Sequence, residues 1–271
     1  MKRFEAQLRL ATGLILAVYL LQHLVNHAFG IASIEAAEAY RKTVGALFQN
    51  LPGLVLLYGS ILFHALIALR SIYRRSSLRM SLWPWLQLLL GLSILPLLVG
   101  HAVGNRGFDL LGDIDPNYYY VVTSFLLSPA FLVKLVILIL VIWVHMSIGL
   151  HFWLRIKDGY DRFVPYIYAL AILVPALAYA GLFRMLLQAS SWLDDQVRLD
   201  QIYAANIAMS RDDVEFLRGL EAQAWMVMAA LLILTLVARQ FRIWIQARQG
   251  TYSITQADGN KIRALQGVSL L

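Results

Sequence analysis

Six long stretches of this chain contain no Asp, Glu, Lys or Arg, and they define its organisation. They run over residues 10–30, 51–69, 80–105, 135–154, 163–183 and 222–238. Each is close to the ~20 residues that an α-helix needs to cross a bilayer. The first stretch is long and ends in polar side chains, which is not typical of a cleavable signal peptide. The pattern predicts an all-α polytopic membrane protein with six transmembrane helices, the fifth starting at Pro165 and kinked at Pro175.

Composition supports this fold class and limits the function. Hydrophobic residues make up 60% of the 271 positions, which is more than one soluble core can bury. The chain has no cysteine, so disulfides, iron–sulfur ligation and covalent c-type haem attachment are excluded within it. The six apolar stretches contain no carboxylate, which argues against proton or cation transport through them.

Charge asymmetry gives an expected orientation. The N-terminus, the loops 70–79 and 155–162 and the C-terminal tail together carry 15 of the 23 Lys and Arg but 4 of the 16 Asp and Glu. The other loops carry 8 basic and 12 acidic residues. The positive-inside rule therefore predicts both termini in the cytoplasm, in a bacterial inner (cytoplasmic) membrane. The net charge of +7 needs no nucleic acid to explain it.

Four histidines, one in each of the first four predicted helices, form two levels. At about 1.5 Å per helical residue, His23 and His101 lie roughly 20 and 27 Å from the cytoplasmic boundary. His64 and His145 lie only about 8 and 13 Å from it. We call His23 with His101 the outer pair and His64 with His145 the inner pair. Each pair comes from two different helices, as axial ligation of a haem iron from both faces requires.

This spacing predicts two b-type haems in a bundle of helices one to four, with helices five and six as scaffold or lipid-facing cover. Small residues beside the ligands are expected to let the helix backbones approach the porphyrins closely: Gly13 and Gly30 on either side of His23, Gly100 and Gly104 beside His101, and Gly149 after His145. Membrane histidines also serve as interhelical hydrogen-bonding contacts, as proton relays and as metal-transport ligands, and these alternatives stay open at this point.

The residues around the first ligand carry a family resemblance. Gln22-His23-Leu24-Val25-Asn26-His27, followed by Gln49-Asn50-Leu51-Pro52 before helix two, resembles the diheme cytochrome b anchor of succinate dehydrogenase and fumarate reductase. The resemblance covers about residues 5–190. It implies that His23 is the outer ligand, whereas depth alone slightly favours His27, which lies one turn further out and matches the depth of His101 better. It also implies electron exchange between a membrane quinone and a cytoplasmic iron–sulfur partner.

Other polar residues are candidates for binding haem propionates or quinone. Arg9, Arg70 and Arg74 are expected near the inner level and Arg106 near the outer level. Arg residues near helix ends also serve as ordinary interfacial anchors. Asn26 and His27 are candidate quinone-side residues at the outer level. At the inner level the candidates are His151 and Trp153, although His151 also reads as an ordinary interfacial residue.

The sixth helix and the tail depart from the respiratory pattern, which usually ends after five helices. Residues 249–271 predict a β-hairpin with a turn at Ala257-Asp258-Gly259-Asn260, and such a hairpin is marginal alone, so a further domain is expected to follow. The hairpin resembles the start of a [2Fe–2S] ferredoxin domain whose cluster would lie beyond Leu271. The alternative is a disordered polar extension.

The whole arrangement resembles the six-helix haem anchor of bacterial class III adenylate cyclases. That resemblance implies a diheme sensor, residues 1–248, that exchanges electrons with quinone and regulates a cytoplasmic cyclase as a homodimer or higher homo-oligomer. Whether the parent protein is an enzyme is left open by this stretch. The alternatives are an electron-transfer subunit of a succinate or fumarate oxidoreductase, and a haem-free transporter or scaffold.

Overall fold

The fold is built from helices. The computed structural model describes residues 2–107, 109, 115–204 and 211–248, and no strand occurs among them. The helices are α1 (Lys2–Phe29), α2 (Ile34–Val44), α3 (Ala46–Gln49), α4 (Leu51–Arg74), α5 (Leu82–Ala102), α6 (Tyr118–Leu127), α7 (Pro129–Leu154), α8 (Tyr160–Ser190), α9 (Gln196–Ala204) and α10 (Arg211–Arg248). A π-helical turn, Val103–Gly107, continues α5. The predicted β-hairpin and ferredoxin-like start at 249–271 lie outside the described residues.

Six helices in the described part of the chain are long and apolar enough to cross a membrane, as the sequence predicted. They are α1, α4, α5 with its π-helical turn, α7, α8 and α10. Several extend beyond the uncharged stretches: α1 includes Arg9, and α7 includes Lys134. Lys and Arg stems can lie along apolar surface while the charged group reaches water, so a charge does not end a membrane helix.

The prediction that Pro165 starts the fifth span is wrong. Helix α8 begins at Tyr160, directly after Gly159, whose φ of +79° lies in the left-handed region that glycine adopts without strain. Both Pro165 and Pro175 therefore lie inside the helix. A proline within a helix removes one backbone N–H and leaves the carbonyl four residues earlier without its usual partner.

The chain divides into two compact units. The larger unit comprises residues 1–67 and 80–228, and its core is formed by side chains of α1, α2, α6, α7 and α8. Leu24, Leu182 and Met185 are among its fully buried members. Helix α8, expected to be scaffold or lipid-facing cover, contributes to this core rather than only covering it.

Helices α1 and α8 cross at two glycines. A β-carbon at Gly181 would overlap the backbone carbonyl of His27, and one at Gly30 would lie 2.8 Å from the carbonyl oxygen of Gly181. Small residues at a membrane helix crossing permit this backbone approach. The expectation that Gly30 makes room beside His23 is therefore wrong. Gly30 instead permits the close crossing of α1 and α8.

Two short helices, α2 and α6, join at a buried carboxylate. Ser33 and Asn117 cap their N-termini by accepting hydrogen bonds from the backbone N–H groups of Ala36 and Tyr120. Glu38 is 6% exposed and accepts hydrogen bonds from the Arg41 guanidinium at 2.7 and 2.9 Å and from the backbone N–H of Tyr118 at 3.1 Å. The next residue of α6, Tyr119, donates from its hydroxyl to the Glu35 carboxylate at 3.4 Å. These contacts fix Tyr118 at the start of α6.

The second unit comprises residues 68–79 and 229–271, and its described part is held by two arginines of α10. Arg239 donates to the carbonyl oxygens of Arg75 and Ser76 at 2.9 and 2.8 Å, and Arg242 donates to that of Tyr73 at 3.0 Å. The last carbonyls of a helix lack helical donors and form the negative end of its dipole. The two guanidinium groups therefore cap the C-terminal end of α4.

Candidate functional site: two histidine pairs

The outer pair joins α1 to α5. The ring centroids of His23 and His101 are 5.9 Å apart, with the ring planes at 72°. Tyr19, one turn earlier on α1, stacks on His23 at 5.7 Å with the rings nearly parallel. The His101 ring lies just before the π-helical turn, where Asn105 donates to the backbone carbonyl of His101 at 2.6 Å. Two imidazoles from different helices thus face each other at this level.

The inner pair joins α4 to α7. The ring centroids of His64 and His145 are 6.4 Å apart, with the ring planes at 84°. The depths estimated from the sequence predicted these same partners. The structure brings His64 and His145 together, as it does His23 and His101. Their role as metal ligands stays a prediction.

Both rings of the inner pair have their Nδ1 atoms engaged. His145 Nδ1 lies 3.0 Å from the backbone carbonyl oxygen of Gln87, so Nδ1 carries the hydrogen and donates it. His64 Nδ1 lies 3.1 Å from the hydroxyl oxygen of Thr12. The Thr12 hydroxyl is 2.8 Å from the carbonyl oxygen of Leu8, to which it donates, and its oxygen can then accept from His64. In this tautomer Nε2 of both histidines carries a lone pair that can bind a metal. The side-chain amide nitrogen of Gln87 lies 3.5 Å from Nε2 of His145, and a metal at that atom would replace this contact.

The distances match a particular coordination. Two imidazoles on opposite sides of one metal ion, each with a bond of about 2.0 Å, place their ring centroids roughly 6.3 Å apart. The observed 5.9 and 6.4 Å lie on either side of that value. Among the described residues no group of three or more His, Asp or Glu side chains could hold a metal ion. Each pair therefore offers two ligands, and the other ligands would have to come from a cofactor.

Two glycines, Gly91 and Gly13, leave space for the imidazole rings of the inner pair. The sequence did not predict either of them at this pair. A β-carbon at Gly91 would lie 2.8 Å from Cε1 of His145, and one at Gly13 would lie 3.4 Å from Cε1 of His64. Gly13 was expected beside His23, and Gly91 was not singled out. Gly149 faces the amide of Gln87, whereas a β-carbon at Gly104 would meet no heavy atom within 4 Å among the described residues.

His27, the alternative outer ligand, makes a different contact. Its Nδ1 lies 3.2 Å from the hydroxyl of Tyr118, and its ring packs edge-on against His23 at 4.9 Å. His27 Nε2 and Asn26 Oδ1 are buried, and neither has a hydrogen-bond partner in the described part of the chain. Burial raises the pKa of the Tyr118 hydroxyl, and the nearby charge of Glu38 raises it further. The Tyr118 hydroxyl therefore keeps its proton across the physiological pH range.

The arginines expected around the propionates are dispersed. Arg106 forms an ion pair with Asp109 at 2.5 Å. Arg9 is exposed on α1, and Arg70 and Arg74 are exposed in the second unit. Of the four, Arg9 contacts a histidine of the pairs, through a hydrogen bond between its backbone and His64.

The inner-level quinone candidates lie apart from the pairs. His151 Nδ1 is 2.7 Å from the hydroxyl of Tyr160, which ties the end of α7 to the start of α8. Trp153 stacks under the ammonium group of Lys157 at 6.0 Å. Both contacts are typical of interfacial residues.

Besides Gly91, the sequence did not single out three polar residues of the site, Thr12, Gln87 and Tyr118. Thr12 and Gln87 are isolated polar residues within apolar stretches, and that isolation is the signal that could have singled them out. Tyr118 lies in an extramembrane segment and carried no comparable signal.

Comparison with protein families, with curated proteins and with solved structures gives no match for this chain.

Proposed function

We propose that this chain is a diheme b-type cytochrome domain that carries electrons within a membrane. One haem is held by His23 and His101 and the other by His64 and His145. Haem with two imidazole ligands has no open coordination position, so the chemistry it supplies is electron transfer and not oxygen binding.

The observation that carries the proposal is the geometry of the inner pair. Two rings from different helices lie at the separation expected for one shared metal, both with Nδ1 within hydrogen-bond distance of an oxygen that can accept its hydrogen. Metal-binding histidines usually donate their other ring N–H in this way, which fixes the tautomer and the ring orientation. A two-ligand site on opposite faces suits a macrocycle that supplies its own in-plane nitrogens.

The wider function follows the family resemblance. In this proposal the domain exchanges electrons with the quinone pool of a bacterial inner membrane, with both termini in the cytoplasm. It regulates a cytoplasmic output, an adenylate cyclase, as a homodimer or higher homo-oligomer. The sixth span supports this sensor over a respiratory subunit, because α10 runs beyond the five helices of the respiratory pattern.

Optical spectroscopy tests the proposal directly. We expect purified protein from haem-replete cells to show a b-type reduced-minus-oxidised spectrum with two haems per chain by pyridine haemochrome. His64→Ala and His101→Ala should each lose one haem. His151→Ala is the matched control and should retain both, since His151 binds Tyr160 instead. A colourless wild type would refute the cytochrome proposal and favour a haem-free transporter or scaffold.

A second experiment separates the sensor from the respiratory subunit. The domain is purified from its native membrane in mild detergent, and co-purifying chains are identified. A flavoprotein and a separate iron–sulfur subunit in equal amounts would favour a succinate or fumarate oxidoreductase. Reporter fusions at both termini test the proposed orientation.

A further inference from the structure

We propose that Thr12 is the residue that sets the ligand strength of His64 and thereby the redox potential of the inner haem. The inference rests on the proposed function. Thr12 would act through His64 and would not touch the iron, so it is a positioning residue.

Thr12 is buried in the larger unit, where the residue is 5% exposed. Its hydroxyl hydrogen is directed at backbone carbonyls of its own helix, 2.8 Å to Leu8 and 3.1 Å to Arg9. The oxygen lone pairs remain, and His64 Nδ1 lies 3.1 Å from them. The helix therefore orients the hydroxyl as an acceptor for the imidazole N–H.

The two inner ligands differ in what receives their N–H. For His145 the acceptor is the backbone carbonyl of Gln87, which no side-chain substitution removes. For His64 one acceptor is a side chain, the Thr12 hydroxyl at 3.1 Å, beside the backbone of Arg9, with which His64 also has a hydrogen bond. A hydrogen bond donated from Nδ1 increases the basicity of the ligating nitrogen. A more basic ligand stabilises the more highly charged ferric iron, so the Thr12 hydroxyl lowers the potential of the inner haem.

The test is a redox titration of wild type, Thr12→Val and Thr12→Ser, followed by optical spectroscopy. Valine keeps the branched shape of threonine and removes the acceptor, whereas serine keeps the acceptor and removes a methyl group. We expect Thr12→Val to raise the midpoint of one haem, with a roughly tenfold higher ferrous-to-ferric ratio at a fixed potential, equivalent to about 59 mV for one electron. Thr12→Ser should titrate like the wild type.

His64→Ala identifies which midpoint belongs to the inner haem, because the midpoint that remains is the outer one. Thr235→Val is the matched control. Its hydroxyl makes the same bond to the carbonyl four residues earlier, Thr235 to Leu231 at 2.7 Å, but on an exposed face of a membrane helix. It should leave both midpoints unchanged.

The outcomes separate the two proposals. A colourless wild type refutes the cytochrome assignment itself. Two haems per chain with Thr12→Val midpoints equal to wild type overturn the role of Thr12 alone. Loss of one haem in Thr12→Val with retention in Thr12→Ser supports that role. An equal effect of both substitutions, on potential or on haem content, would assign the effect to packing and overturn it.

Discussion

The indole N–H of Trp143 donates to the backbone carbonyl of Ala171, with the nitrogen 2.7 Å from the oxygen. That carbonyl lies four residues before Pro175, so it is the one that the proline deprives of its helical donor. A tryptophan of α7 thus replaces a backbone N–H of α8, in a region where water cannot do so.

We therefore expect Trp143→Phe to destabilise the protein by about 1–3 kcal/mol, since it leaves a buried carbonyl without a donor. In a Pro175→Ala background, where the helix supplies its own N–H to Ala171, the same substitution should cost less. Unfolding in mixed micelles with increasing denaturing detergent, run as a double-mutant cycle, measures the difference. Equal costs in both backgrounds would show that the indole bond does not compensate for the proline.

The contact between Gly91 and His145 gives a second prediction. Gly91→Ala places a methyl group where only 2.8 Å is available to the imidazole, so the ring must move. Under the proposed haem assignment, we expect the inner haem to be lost or its absorption band shifted, while the outer haem is retained. Gly59→Ala is the control, because a β-carbon there would meet no heavy atom within 4 Å among the described residues. A Gly91→Ala protein with two unperturbed haems would contradict the prediction.

Acid stability should depend on Glu35, in the first turn of α2. A hydrogen bond from its own backbone N–H and one from the Ser33 hydroxyl hold the pKa of this carboxyl below its usual value of 4.5. A depressed carboxyl pKa contributes stability that is fully present above the unfolded pKa and is lost as the pH falls through the folded one.

We expect Glu35→Gln to lower the thermal midpoint at pH 7 and to make its decline below pH 4.5 shallower, so that the variant and the wild type converge as the pH falls through the folded pKa of Glu35. Thermal unfolding in detergent from pH 7 to pH 3 measures the slope. Asp194→Asn, at an exposed position beyond α8, serves as the comparison. If both substitutions change the acid slope equally, Glu35 has no special part in it.

The arginine cap of the second unit gives a fourth prediction. Arg239 is 8% exposed, and Arg239→Ala removes both of its hydrogen bonds to the end of α4. We expect faster amide hydrogen exchange over residues 70–76, measured by mass spectrometry, because the last helical turn loses its cap. Arg79→Ala, at an exposed position of the same segment, should leave this exchange unchanged. Equal exchange in the two variants would mean that the cap does not stabilise α4.

The membrane helices could be predicted because hydropathy acts on about twenty residues at a time, so single exceptions do not hide the pattern. Their ends could not, since α8 extends through Asp161 at one end and Arg184 at the other. The uncharged stretch 163–183 stops before both. Charge marks the interface, whereas capping and turn geometry, here Gly159, decide where a helix begins.

The partners of the histidines could be predicted from helix length alone, because the rise per residue is constant. The residues that orient them could not. Thr12 and Gln87 act through contacts between helices. The hydropathy pattern does not determine how one helix is rotated relative to another, so it could not predict these contacts. Gly30 is a further example. Its position in the sequence predicted a place beside His23, but in the structure it contacts α8.

The interleaving of the pairs has a consequence for synthesis. The outer pair takes one histidine from the first span and one from the third, and the inner pair takes them from the second and fourth. A chain inserted from its N-terminus can therefore complete the outer pair as soon as the third span is in place, whereas the inner pair must wait for the fourth. We expect the two sites to mature in that order, so that a ribosome-stalled chain ending after the third span holds one site and the whole domain holds two.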